Sequence, residues 1–105
     1  MKIIYNNIIP FKGFAAINLF GILFVRNGIT VTDEMINHEK IHTAQIRELG
    51  FIFFYIWYAI EWLIKIIGYG TDAYYNISFE SEAYTNERNL NYLQTRKHYS
   101  FLKYF

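Results

Sequence analysis

The sequence predicts an α+β fold, with two or three short N-terminal strands followed by three or four helices. Three observations lead there. Before about residue 30, β-branched and aromatic residues fall in short runs broken by Gly21 and by Asn27-Gly28. The apolar spacing then lengthens to a helical period behind a capping signal at Thr30 to Asp33. Finally, residues 51–67, FIFFYIWYAIEWLIKII, form a continuous apolar and aromatic run that reads as a helix.

Taken in order, residues 2–9 (KIIYNNII) read as a strand that ends before Pro10. AINLF and GILFV, residues 16–25, read as two more, and Asn27-Gly28 is a strong turn signal. Thr30 with Asp33 resembles a capping box, Thr32 is a rival N-cap, and Asp33 and Glu34 suit the positive end of a helix dipole. That helix is expected from Asp33 to Leu49, stopping at Gly50. The apolar helix follows, closed by Gly68-Tyr69-Gly70. A third helix begins near Thr71-Asp72 or Ser78 and continues through FESEAYTNERNLNYLQTRK. Phe79, Ala83, Leu90 and Leu93 make its core stripe, and Glu80, Tyr84, Glu87 and Asn91 a polar stripe beside it.

At 105 residues the chain reads as a single domain, 1–105. A net charge of +1 with scattered Lys and Arg gives no electrostatic footprint for nucleic acid. The absence of cysteine excludes disulfides, thiol catalysis and cysteine-type zinc sites. MKIIYNNIIPF lacks the apolar core and cleavage site of a signal peptide, so a cytoplasmic location is expected. The apolar helix rises roughly 25 Å, short of a hydrocarbon core of about 30 Å. Glu61 and Lys65 interrupt it at helical ion-pair spacing. A domain this small can hardly bury such a helix on every side. A soluble protein is expected that dimerises, or touches a membrane surface, through residues 51–67.

The chemistry concentrates in INHEKIHTAQ, residues 36–45. On a helix, His38 and His42 lie about 40° apart and can aim both imidazoles at one point. Glu39 is rotated about 100° from the first ligand, where it can reach an attacking water without ligating. Two imidazoles and a base suit catalytic zinc, which also needs a third protein ligand and an open position. Glu61 and Glu80 compete for the third place, with Glu82 on the opposite helix face. Glu61 has the alternative of pairing with Lys65.

His38-Glu39-x-x-His42, the small size and the later Glu80-x-x-Ala83 segment resemble the minigluzincins. These are small soluble scaffolds akin to the catalytic domains of integral-membrane metallopeptidases, the CAAX prenyl-protein proteases and the antibiotic-sensing sensor-transducers. The resemblance spans roughly residues 16–90 and departs at Tyr84, where an aspartate often stands. It implies a zincin-like fold, with a small antiparallel sheet over the metal helix. Zn2+ would be held by His38, His42 and Glu80, and Glu39 would be the general base of peptide hydrolysis. The strand nearest the cleft, taken as Gly21 to Arg26, would bind peptide or protein substrate by β-augmentation.

Tyr84, Arg88 and His98 are candidates to stabilise the transition state. The aromatic tail RKHYSFLKYF, residues 96–105, either packs on the flank of the apolar helix or lies along the cleft and keeps the enzyme latent. The rival expectation is a non-catalytic helical interaction or membrane-surface module whose metal site is vestigial or structural. So short a chain has little wall with which to build a substrate pocket.

Overall fold

The computed structural model describes residues 2–10 and 14–105. Three strands, β1 (Ile3–Asn6), β2 (Ala16–Leu19) and β3 (Ile22–Arg26), form one sheet in the order β1-β3-β2. β2 and β3 pair antiparallel, Ala16 opposite Val25 and Leu19 opposite Ile22. Their connection is the two residues Phe20 and Gly21, both at positive φ (55° and 82°), the geometry of a tight hairpin that follows the twist of its strands. β1 takes the other edge of β3 and runs parallel to it, Ile3 beside Leu23 and Asn6 beside Arg26. The sheet is therefore mixed rather than antiparallel. β3 is its centre, hydrogen-bonded on both sides, so it has no free edge for a peptide. Among the described residues the outer edges of the sheet are those of β1 and β2, and β2 is the one that lines the cavity beside α1.

α1 (Asp33–Leu49) is capped by Thr32, whose side chain accepts from the Met35 N–H at 3.2 Å. It ends at Gly50 (φ 79°), whose N–H donates to Ile46 O at 2.6 Å. α2 (Phe51–Tyr69) follows at once and runs through Gly68 to Gly70 (φ 57°). A 3-10 turn (Gly70–Asp72) and one helical turn, α3 (Ala73–Asn76), lead into α4 (Ser78–Asn86). A single turn, α5 (Tyr92–Thr95), and a terminal 3-10 segment (Ser100–Tyr104) complete the described chain.

The long third helix expected through residue 97 stops at Asn86, for a reason that lies on α1. The buried Asn37 amide donates to the carbonyls of Asn86, Glu87 and Asn89 at 3.3, 2.8 and 3.0 Å. It satisfies backbone acceptors that a continuing helix would have used itself. Leu90 consequently leaves the expected core stripe for solvent, whereas Phe79 and Ala83 are fully buried.

The core joins Ile46 of α1, Phe54 of α2, Ile77, Phe79 of α4 and Phe101 of the tail. Phe101 lies 4.8 Å from Phe79 and 5.3 Å from Trp57 between ring centroids, so the tail packs against the flank of α2. Leu23 and Val25 of β3 are also fully buried. β2 is fastened to α1 by Asn18, whose amide donates to Glu39 O and Thr43 Oγ1 at 2.9 and 3.0 Å.

Candidate metal centre

The helical spacing of α1 puts His38 and His42 on one buried face, and α4 crosses opposite them carrying Glu80. The His38 and His42 Nε2 atoms lie 3.1 and 3.0 Å from Glu80 Oε1, and 3.1 Å from each other. All three residues are buried.

The far side of each of these three side chains is committed. The Gln45 amide nitrogen donates to Phe79 O and Glu82 Oε1, both at 3.0 Å, which turns its carbonyl oxygen to His42 Nδ1 at 2.7 Å. His42 Nδ1 must therefore carry a proton. His38 Nδ1 faces the Glu87 carboxylate at 3.2 Å and donates likewise. Tyr58 OH donates to Glu80 Oε2 at 2.7 Å, leaving Oε1 to the histidines. With both Nδ1 atoms committed to acceptors, both Nε2 atoms and one carboxylate oxygen of Glu80 face a single point. Only a proton or a cation there resolves the conflict. Two nitrogens and one oxygen, each oriented by an outer partner, form a donor set that suits zinc.

The electrostatics agree. Burial alone would lower the His42 pKa, but the charge and hydrogen bond of Glu80 raise it to about 10. Burial opposes the Glu80 charge, but the two histidines and Tyr58 hold its carboxyl below the usual range. Glu39 shifts the other way, because desolvation outweighs the attraction of His42 and His38, so its carboxylate holds a proton more readily than a free glutamate.

Glu39, His42 and Glu80 open on a cavity of about 440 Å³, walled by β2 and by aromatic side chains including Tyr55, Tyr58, Trp62 and Tyr74. A larger groove of about 740 Å³ lies on another face of α1, lined by Lys40, Arg47 and His98, and contains none of the three converging residues.

The other candidates sort as follows. Glu61 is 2% exposed and lies away from the histidines. It accepts from the Ser78 N–H at the start of α4, from Ser78 Oγ at 2.6 Å and Trp57 Nε1 at 3.1 Å, and pairs with Lys65 at 3.2 Å. Its work is to cap α4. Glu82 faces the opposite way, bonded to Arg96 at 2.6 Å and to Tyr92 and Gln45. Tyr84 packs edge-on against the His38 ring, 4.5 Å between centroids. Arg88 is exposed on the turn after α4. His98 is almost wholly exposed and faces Glu48 at 3.3 Å, and no residue of the tail lines the cavity onto which Glu39, His42 and Glu80 open.

Sequence reasoning missed Tyr58, Tyr74 and Gln45. Gln45 follows His42 by three on the same helix face, a spacing that could have suggested a partner for it. Comparisons with protein-family models, with curated proteins and with solved structures find no match for this chain.

Proposed function

We propose that this chain is a zinc-dependent peptidase whose metal is held by His38, His42 and Glu80 and whose general base is Glu39. The observation that carries the reading is the convergence of His38 Nε2, His42 Nε2 and Glu80 Oε1 on one buried point, each side chain fixed from behind, beside a cavity walled by the edge strand β2.

A bound zinc ion would supply Lewis acidity to the scissile carbonyl and to an attacking water. An extended peptide would add to β2, the edge strand whose residues Ala16 to Leu19 wall the cavity. Glu39 lines that cavity beside His42 and takes the proton from the water, then delivers it to the leaving amine. Its raised proton affinity suits both halves of that task. Tyr74 shares the cavity, and burial, then the charge of Glu80, keeps its hydroxyl protonated, so it is a donor for the developing oxyanion. It replaces Tyr84, Arg88 and His98 in that role.

The test is metal content and peptide cleavage by protein purified without a histidine tag. Glu80→Gln should lower zinc affinity by more than the roughly 10–100-fold that loss of an outer partner costs. Glu61→Gln should leave zinc in place. Glu39→Gln should keep the metal and lose about 10²–10⁴-fold in hydrolysis. Zinc retention without cleavage by either the parent or any trial peptide digest would favour a structural metal in an interaction module.

A further inference from the structure

We infer that the outward face of α2 is a membrane-embedding surface, and that the protein sits on a bilayer with this helix lying in the plane of the interface. Of nineteen residues in α2, only Phe54 and Glu61 are buried. Ile52, Phe53, Ile56, Ile60, Leu63 and Ile67 are each at least half exposed, Ile67 to 89%. At 100° per residue these six fall within about 100° of one another, and the further exposed residues Phe51, Trp62, Ile64 and Ile66 widen the apolar arc to roughly 220° about the helix axis.

The two ionic side chains of α2 are both turned inward. Glu61 is spent on Ser78, Trp57 and Lys65, and Lys65 donates to the carbonyls of Asn76 and Phe105 at 2.7 and 3.1 Å. No charge of α2 therefore faces out, and its backbone is internally bonded, as hydrocarbon requires. The apolar surface continues beyond the helix through Phe20, whose ring lies 5.1 Å from that of Phe51.

Size and shape select the occupant. The exposed α2 side chains present on the order of 1,000 Å², above the roughly 300–600 Å² of the largest patch on a typical monomer. A standard dimer needs about 800 Å² from each partner, so area alone would serve a second copy. A partner helix, however, meets a stripe only about 100° wide and would leave half of this arc in water. A bilayer surface covers the whole convex arc. Spanning is excluded by the rest of the molecule. α3, α4 and the tail pack on the inner side of α2, and a crossing would carry exposed Asp72, Arg88 and Lys103 into the hydrocarbon.

Tyr55 and Trp62, at the margin of the arc, also wall the cavity beside Glu39. On the peptidase reading, on which this clause alone rests, the site opens at the bilayer surface and takes substrate there.

The experiment is flotation of the full chain with phosphatidylcholine vesicles, with and without phosphatidylglycerol, read without metal or activity. The protein should float with both lipids and stay bound in high salt, and brominated acyl chains should quench its tryptophan fluorescence, to which the exposed Trp62 contributes. Ile56→Glu, Ile60→Glu and Leu63→Glu combined should keep the far-UV spectrum and cut vesicle partitioning by roughly tenfold or more. If that variant fails to fold, the quenching of the unsubstituted protein decides. Failure to float, flotation only with the anionic lipid and lost in salt, or a stable lipid-free dimer that stays off vesicles would each overturn the inference, the last in favour of a second copy.

Discussion

α1 and α2 are consecutive, joined through Gly50, and they invert one another. α1 buries six residues, and four of them, Asn37, His38, His42 and Gln45, are polar. α2 is apolar almost throughout and turns most of that surface to the outside. Hydrophobicity alone would have exchanged their environments. The difference shows that burial here follows what each side chain is bonded to. Every polar group that α1 carries inside has a partner: Asn37 on three carbonyls, Gln45 on Phe79, Glu82 and His42, and the histidines on Glu87 and Glu80. A satisfied polar interior is tolerated; an apolar exterior of this breadth asks for a covering.

This contrast breaks most readily where the interior rests on the tail. Removing residues 97–105 takes Phe101 from the core, and truncation of a buried Phe alone costs about 3–5 kcal/mol. The truncated protein should unfold at markedly lower urea and gain no peptidase activity. A folded, zinc-loaded and newly active truncation would show that the tail blocks the cleft after all.

Arg96→Met comes next. Arg96 holds Glu82 and Glu48, and burial of Glu82 is complete. An uncompensated buried carboxylate costs about 3–5 kcal/mol, measured as a shift in the urea midpoint. Combining Arg96→Met with Glu82→Met should recover part of the loss, because the orphaned charge is then gone.

Gln45→Met tests the orientation of a ligand. His42 loses the acceptor that holds its Nδ1 proton, and zinc affinity should fall about 10–100-fold in a chelator competition. The same competition in the parent should depend on pH with a definite sign. The folded His42 pKa, about 10, lies above its ordinary 6.5, so the metal-free protein is protonated there at neutrality and zinc must displace that proton. Affinity should climb about tenfold per pH unit up to that pKa. Stability of the metal-free fold runs the opposite way: the pair with Glu80 contributes fully below pH 6.5 and is lost as pH rises through about 10. A pH-independent zinc affinity would contradict the paired state of His42.

On α2 the smallest effect is expected. Ile56→Ser, at a half-exposed position, should move stability in lipid-free buffer by no more than about 0.5 kcal/mol. A large loss would mean that this face is already covered in solution.

How far these features could be read from sequence depended on how local they are. The strands, α1 with its stop at Gly50, and α2 followed from period and punctuation, since each is decided by neighbours in the chain. That His38 and His42 would converge was legible because they share a helix face, whereas Glu80 was singled out from Glu61 by the resemblance at Glu80-x-x-Ala83. The direction of β1 was not legible, since nothing in Ile3 to Asn6 says which edge of β3 is free or which way to run beside it. The end of α4 was equally hidden, because the side chain that stops it, Asn37, lies on another helix. Gln45, Tyr58 and Tyr74 acquire roles only through tertiary packing.

The bonding of Gln45 to Glu82, and of Glu82 to Arg96, carries a consequence in time. A growing chain has made His38, His42 and Glu80 before it makes Arg96. Until that arginine emerges, Glu82 has no cation to settle its charge, and Gln45, which orients His42, leans on an unsettled partner. The nascent polypeptide thus possesses all three candidate ligands before it possesses the bonding that orients them. On the proposed zinc reading, assembly of the centre would wait until α4 and the segment after it have closed over α1, and metal loading would belong to the finished fold.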